Sequence, residues 1–349
     1  MKTCDYQKIT VSTSKEYDIL IGKGLLSKVG QLINGIISLC KVAIITDDLV
    51  SPLYLQTVSN ALKEQGFEVV SFVFKNGEES KNINTYAQIL NFLSKEQLTR
   101  SDLIVALGGG VVGDMAGFVS ATYLRGVKYV QVPTTLLAQI DSSVGGKTAI
   151  DLQNGKNLVG AFYQPSLVIC DVDVLNSLPN QVLVDGLGEA VKYALLDKSV
   201  FEVLSAKNFD ICKLVYLCVD YKRKIVESDE FESGDRKLLN LGHTVGHAIE
   251  KLSNYKISHG KAVAMGIKVI VNASFKRGYI NHNQYEEILS VIERFIGKAE
   301  HGFNLKDICD SAMVDKKREG DFITLVMVYG VGDVRLEKIK TAELWGYLS

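Results

Sequence analysis

The chain has 349 residues, is 47% hydrophobic and sets 39 basic side chains against 40 acidic ones, for a formal net charge of -1; this excludes a disordered or fibrous chain and suits about two globular domains. Charge balance without a block of one sign excludes nucleic-acid or membrane-surface binding as the main role, so an anionic substrate must be met by locally placed cations. No apolar run reaches about 18 residues, and Met1 to Tyr17 carries charges without a long apolar core, so a cytoplasmic location is expected, with no export or membrane spanning.

The first half alternates strand-like and helical patterns. Lys41 to Thr46 (KVAIIT), Glu68 to Phe74, Asp102 to Leu107 (DLIVAL), Tyr129 to Thr134 and Ser166 to Asp171 (SLVICD) are short and rich in Val and Ile, as buried strands are. Between the first two, Ser51-Pro52 opens a helix with Ser as N-cap and Pro in its first turn, and Ile83 to Leu98 has helical periodicity. Such alternation predicts a mostly parallel sheet covered on both faces.

From about Leu178 the texture becomes helical: Gly186 to Leu196, Val200 to Ala206, Asp210 to Ser228, Lys237 to Leu252, Ala262 to Arg277 and Gln284 to Ile296, with one late strand-like run, Phe322 to Tyr329 (FITLVMVY). The expectation is an α/β dinucleotide-binding domain over residues 1–178 and a mainly α-helical domain over 179–349, tightly joined, with the ligand in the cleft between. The cysteines Cys4, Cys40, Cys170, Cys212, Cys218 and Cys309 include no CxxC pair and read as small hydrophobes in a reducing compartment.

Three segments carry chemistry. In Leu103 to Phe118 (LIVALGGGVVGDMAGF) an apolar strand runs into Gly108-Gly109-Gly110, then Gly113-Asp114 and a helix. Glycines there let backbone amides approach a diphosphate, and a helix N-terminus favours its negative charge; the spacing differs from GxGxxG. Next, Thr134 and Thr135 place hydroxyls at the end of a strand, where they either reach a cofactor or cap a helix.

The second segment, Asp141 to Asn157 (DSSVGGKTAIDLQNGKN), has the Asn-Gly signal of a β-hairpin. Lys147 and Lys156 then lie on paired strands facing one site, and two ammonium groups brought together need an anion between them. The third, RKLLNLGHTVGH, reads as one helix with Arg236, Asn240, His243 and His247 at offsets 0, 4, 7 and 11, a polar stripe where core residues normally sit. The HExxH protease pattern is absent. His259, and Glu189 with Lys192 one turn later, add candidate ligands for a catalytic divalent ion. Spacing leaves open which two histidines bind it.

Taken together, GGGVVGD, VPTTLLAQIDSSVGGKTAID, GKNLVGAFYQP, GEAVKYALL, LLNLGHTVGHAIE and SHGKAVAMG closely resemble 3-dehydroquinate synthases of the sugar phosphate cyclase superfamily, over roughly residues 15 to 335. The resemblance implies the dehydroquinate synthase-like fold, a homodimer, and zinc (cobalt as a substitute) on Glu189, His243 and His259, with His247 left to the substrate phosphate or a proton. It implies NAD contacts from Asp47, from Asn76, Gly77, Glu78, Glu79, Ser80 and Lys81, from Gly110, Val111, Val112, Gly113 and Asp114, from Thr134 and Thr135, from Lys147 and Lys156, and from Val174, Leu175, Asn176 and Ser177. It implies a substrate grip by Arg125, Asp141, Lys147, Lys156, Asn157, Lys192, Lys222, Arg236, Asn240 and a lysine of Asp315-Lys316-Lys317. One departure is visible: relatives usually read HGE where this chain has His259-Gly260-Lys261, and a cation pointing inward there would weaken metal binding.

The activity so implied is a carbon-oxygen lyase of the shikimate pathway to chorismate and the aromatic amino acids. It converts the sugar phosphate 3-deoxy-arabino-heptulosonate 7-phosphate into 3-dehydroquinate and phosphate by transient oxidation with NAD, phosphate elimination, re-reduction and aldol closure. Lys156, Asn157, Arg236 and His247 would neutralise the phosphate, and Arg125 and Lys147 would hold the carboxylate, with Asp141 ordering its basic neighbours. The alternatives are another cyclase, such as 2-deoxy-scyllo-inosose synthase, or a metal-dependent polyol dehydrogenase.

Overall fold

The computed structural model describes residues 6–298, 300, 302–316 and 321–349, with the side chains of 314–316 outside the description. The chain divides into two compact units, Met1–Leu178 and Pro179–Ser349.

The first unit is built on a seven-stranded sheet. Its elements are β1 (Tyr6–Val11), β2 (Tyr17–Gly22), α1 (Val29–Asn34), β3 (Lys41–Asp47), α2 (Gln56–Lys63), β4 (Glu68–Phe74), α3 (Ile83–Lys95), β5 (Leu103–Gly108), α4 (Gly110–Thr122), β6 (Lys128–Pro133), the hairpin strands β7 (Lys147–Leu152) and β8 (Gly155–Phe162), and β9 (Leu167–Asp171). The sheet order is β1-β2-β9-β6-β5-β3-β4, all neighbours parallel except β1 with β2. Every residue of β5 is buried, as expected of a strand covered on both faces. Ile45, Ile104, Met115, Phe118 and Tyr129 share one core cluster, which locks α4 onto the sheet. The chain goes from β3 outward to β4 and then returns to β5 on the other side of β3, so the strand order reverses between β3 and β5.

The second unit contains α5 (Asn180–Leu196), α6 (Lys198–Ser205), α7 (Ile211–Ser228), α8 (His243–Leu252), α9 (His259–Lys276), α10 (His282–Ile296), α11 (Leu305–Lys316), the antiparallel pair β10 (Phe322–Gly330) and β11 (Asp333–Lys340), and α12 (Leu344–Leu348). Helix starts follow local polar chemistry: Asp197, Asp210 and Asn281 each accept a backbone N–H at the head of α6, α7 and α10. From Gly186 onward α5 is buried all round, which makes it the central helix of the unit.

Two expectations are corrected. The helix read through Arg236 to Leu252 is interrupted: Asp235–Asn240 is a 3-10 turn, and Gly242 takes a left-handed φ of 79° before α8 begins. A side chain there would meet Ile267 and the Val263 carbonyl within 2.7 Å, so tertiary packing selects the break. Ser51 is not a side-chain cap; Asp47 accepts from Leu49 and Val50 N–H instead, and a wide turn at Ser51–Leu55 precedes α2. The strand expected at Phe322 to Tyr329 forms as β10, and its partner β11 has a half-exposed, charge-rich sequence that hid it from pattern reading.

The described cysteines Cys40, Cys170, Cys212, Cys218 and Cys309 are free; Cys4 lies outside the described residues. No described helix is long and apolar enough to cross a membrane.

Candidate active site and metal centre

In the first unit, most cofactor candidates gather where the parallel strands end. Asp47 closes β3, Asn76 to Lys81 follow β4, Gly108 closes β5, Thr134 and Thr135 follow β6, and Val174 to Ser177 follow β9. Open parallel sheets bind ligands outside this carboxyl edge, where the strand order reverses. Space at these glycines is tight: a side chain on Gly108 would meet Val112 at 2.5 Å, and one on Gly113 would displace the end of the Gln131 side chain, 2.8 Å away. No side chain caps α4, so its first N–H groups are available to an anion. Val112 is itself buried beneath this turn, so it offers a ligand only backbone.

Other edge residues hold the loops. Asp47 Oδ2 accepts from Asn76 Nδ2 at 3.1 Å, while its Oδ1 serves Leu49 and Val50. Thr135 Oγ1 accepts from Ala138 N–H, so its hydroxyl is used in capping. Tyr54, which pattern reading passed over, donates to Ser177 Oγ at 2.6 Å and thereby ties α2's approach to the segment after β9. Lys81 is buried, 2.5 Å from both Asp114 Oδ2 and Asn157 Oδ1. Burial alone would lower its pKa, but Asp114, with Glu78 and Asp151, outweighs that and raises it.

The hairpin forms, but it does not bring its lysines side by side. Lys147 opens β7 opposite Phe162, whereas Lys156 follows the turn near the Leu152–Gly155 pair, about 15 Å of strand away. Lys156 lies 3.8 Å from Glu78. Asn157 takes a left-handed φ of 55°, donating its N–H to Asp151. Asp141 lies in the turn Ala138–Ser142, which passes over the start of α4: a side chain on Gly110 would meet Ser142 Oγ at 3.2 Å. Arg125 is exposed beyond the last turn of α4, about 20 Å of helix from Gly110, and so stands apart from the carboxyl edge.

In the second unit, Glu189 of α5, His243 at the start of α8 and His259 at the start of α9 converge. Glu189 Oε1 is 3.5 Å from His243 Nε2 and 3.2 Å from His259 Nε2, and its Oε2 is 2.7 Å from Lys192 Nζ. Glycines let the three helices approach this closely. A side chain on Gly188 would sit 2.2 Å from the Gly260 carbonyl, and one on Gly266 would sit 2.2 Å from that of Gly242. Asp185 on α5 accepts from Gly260 and Lys261 N–H, capping α9 and so setting where His259 begins it.

The cluster has the donors a divalent ion requires: a carboxylate oxygen and two imidazole nitrogens mutually within 4.8 Å. Burial, then Lys192 and the neighbouring imidazoles, push the His243 pKa down to about 3 against the pull of Glu189. Burial also lowers that of His259, but Glu189 and Glu250 outweigh it and raise the value to about 10. Glu189 is only 1% exposed, so its charge must be met inside the protein; Lys192 meets Oε2, and a cation between the three donors would meet Oε1 more fully than an imidazolium would. The donor set fits a metal.

Lys192, against Glu189, is buried, and His247 is exposed with its ring 5.4 Å from His243 and 5.8 Å from His259; Lys222 on α7 is also buried. Arg236, buried despite its charge, donates to the Glu230 carbonyl. Asp229 gathers the N–H groups of Ser233, Gly234 and Arg236 and shapes that loop. Asn240 donates to Glu232 at 2.9 Å. Glu232 and Glu250 are partners that sequence reading did not single out; Glu250 alone left a signal, standing three and seven places after His247 and His243 on one helix. Lys261, the departure noted above, is exposed. Lys317 and the side chains of Asp315 and Lys316 lie outside the described residues.

Residues 71–185 match the family model of the 3-dehydroquinate synthase N-terminal part, and residues 186–318 that of the C-terminal part. The chain is 43% identical to the 3-dehydroquinate synthase of Clostridium acetobutylicum over 342 residues, 95% of this chain and 96% of that one. It is 41% identical to that of Streptococcus suis over 356 residues, 98% and 99% of the two chains. Among solved structures, a 2-deoxy-scyllo-inosose synthase complexed with carbaglucose-6-phosphate, NAD+ and Co2+ superposes with a TM-score of 0.86 at 23% identity, covering 98% of this chain and 99% of that one.

Proposed function

The chain belongs to the 3-dehydroquinate synthase family, and from that premise we propose that it forms 3-dehydroquinate and phosphate from 3-deoxy-arabino-heptulosonate 7-phosphate. The observation that carries the chemistry is the convergence of Glu189, His243 and His259. Identity of 43% to a 3-dehydroquinate synthase across nearly the whole chain favours this over another cyclase, whose solved representative is 23% identical.

Glu189, His243 and His259 would hold a divalent ion, zinc by its donor set, and the glycine turn with the first N–H groups of α4 would hold the NAD diphosphate. When bound, the ion would supply Lewis-acid polarisation of a substrate hydroxyl and the nicotinamide a hydride acceptor that is regenerated within the cycle.

The chain's own groups would do the rest. Lys156, Asn157, Arg236 and His247 would neutralise the leaving phosphate and hold its geometry, and His247 would pass a proton, a role supported by its exposure beside His243. Lys192, 2.7 Å from Glu189, would keep that carboxylate ionised and offer a donor to a substrate oxygen. Lys147, Lys222 and Asn240 would complete the grip, with Asp141 ordering basic neighbours; Arg125, exposed beyond the far end of α4, is given no part in it. The assignment makes the protein a phosphate-eliminating lyase of aromatic biosynthesis, which we place in the cytosol as a homodimer. The deciding experiment is phosphate release from the heptulosonate phosphate with and without chelator and NAD. Turnover abolished by chelator and restored by Zn2+ or Co2+, without net NADH formation, supports the reading; release from glucose 6-phosphate instead, or net NADH accumulation, overturns it.

A further inference from the structure

His259 stands between two carboxylates, one at each ring nitrogen. Its Nε2 is 3.2 Å from Glu189 Oε1, and its Nδ1 is 3.2 Å from Glu250 Oε2. Glu250 is 6% exposed, so its negative charge has been drawn out of water, which is tolerated only where a hydrogen-bonded partner meets it. Nothing about α8 as a helix requires a carboxylate on its buried face. His243 differs in this respect: its Nδ1 faces the Leu241 carbonyl at 3.2 Å, a neutral acceptor.

We propose that Glu250 is a positioning residue for His259, a role that rests on the metal reading above. By accepting the Nδ1 proton it fixes the tautomer whose Nε2 lone pair points to the Glu189 and His243 donors, locks the ring plane, and makes Nε2 a stronger donor to a divalent cation than a carbonyl acceptor would. Helix α8 thus contributes twice to the centre, His243 as a ligand and Glu250 as the group that orients the ligand of α9. Contact with the buried Glu250 also explains how His259, in the first turn of a helix and partly exposed, is held in one orientation.

The same side chains admit a different assignment, because His247, Glu250 and His259 form a second set with metal-ligand spacing. The two roles separate by stoichiometry and affinity. The full chain is stripped with a chelator, and Co2+ and Zn2+ are titrated into the wild type, Glu250→Gln, Glu250→Asp and Glu189→Gln, with affinity read by competition against a chromophoric chelator and geometry by the Co2+ visible spectrum. The positioning role requires one ion per wild-type chain and a 10- to 100-fold weaker affinity in Glu250→Gln, the usual range for such partners, still at one ion per chain. It also requires an intermediate affinity in Glu250→Asp, which keeps the inference testable if the Gln variant folds poorly. Wild-type affinity in Glu250→Gln, or a second ion that this variant loses, overturns the inference. Failure of the wild type to bind any ion, or binding unaltered in Glu189→Gln, overturns the metal reading itself.

Discussion

Gly188 of α5 faces the carbonyl of Gly260 so closely that an added methyl would lie 2.2 Å from its oxygen. The obstacle is backbone and cannot swing aside. The helices carrying Glu189 and His259 therefore touch through bare main chain one residue away from each of those side chains. Gly188→Ala is expected to cost about 3 kcal/mol, the top of the range for an overpacked core, and to lower metal affinity by parting the two donors. Urea denaturation and metal titration of the variant check this; wild-type stability would show that the contact yields.

Glu189→Gln removes the anionic donor and leaves Lys192, 1% exposed, facing a neutral amide. Breaking a buried ion pair commonly costs about 3–5 kcal/mol, and losing the metal's charge stabilisation, several kcal/mol, corresponds to about a thousandfold in rate. The expected outcome is a lower unfolding midpoint, no metal retained through dialysis, and phosphate release reduced by that order. A metal-retaining variant with wild-type turnover would remove Glu189 from the centre.

The loop before α8 depends on Asp229. Partial burial pushes its carboxyl upward, but the N–H groups of Gly234, Ser233 and Arg236 outweigh this and hold it at about 2, below the ordinary 3.8. A depressed folded value means the contribution to stability is fully present above the unfolded pKa and is lost as pH falls toward 2. Asp229→Asn should therefore melt below the wild type at pH 6, with the gap closing progressively between about pH 4 and pH 2. A gap independent of pH would assign the effect to packing.

Lys81 links three segments of the first unit through Asp114 and Asn157. In Lys81→Met the Asp114 carboxylate on α4 loses its buried counter-charge, which should cost about 3 kcal/mol. It should also weaken NADH binding, followed by fluorescence titration, by about tenfold, equivalent to 1.4 kcal/mol. Unchanged NADH affinity in a destabilised variant would confine Lys81 to a structural role.

The parallel strands, the glycine turn and the hairpin were legible because each is written in local chemistry: apolar runs of strand length, glycines where side chains collide, and an Asn-Gly pair. The break at Gly242 was not, since a lone glycine in an apolar periodic stretch is compatible with a continuous helix, and only Ile267 and Val263 of α9 forbid it. Glu250 escaped for a similar reason: beside Lys251 it reads as a solvated charge, and only the packing of α9 against α8 turns it inward. Spacing also could not separate Lys147 from Lys156, because hairpin register, not count of residues, decides which strand positions meet.

What the sequence determined alone was the inventory: two units of different texture, a phosphate-ready strand-to-helix turn, and one acid and two imidazoles among the motifs of a known family. What tertiary structure decided was their meeting. Glu189 and His259 are 70 residues apart in the chain and become neighbours only because glycines at 188, 242, 260 and 266 allow three helices to pack backbone to backbone, a condition set by shape across the fold and by no local pattern.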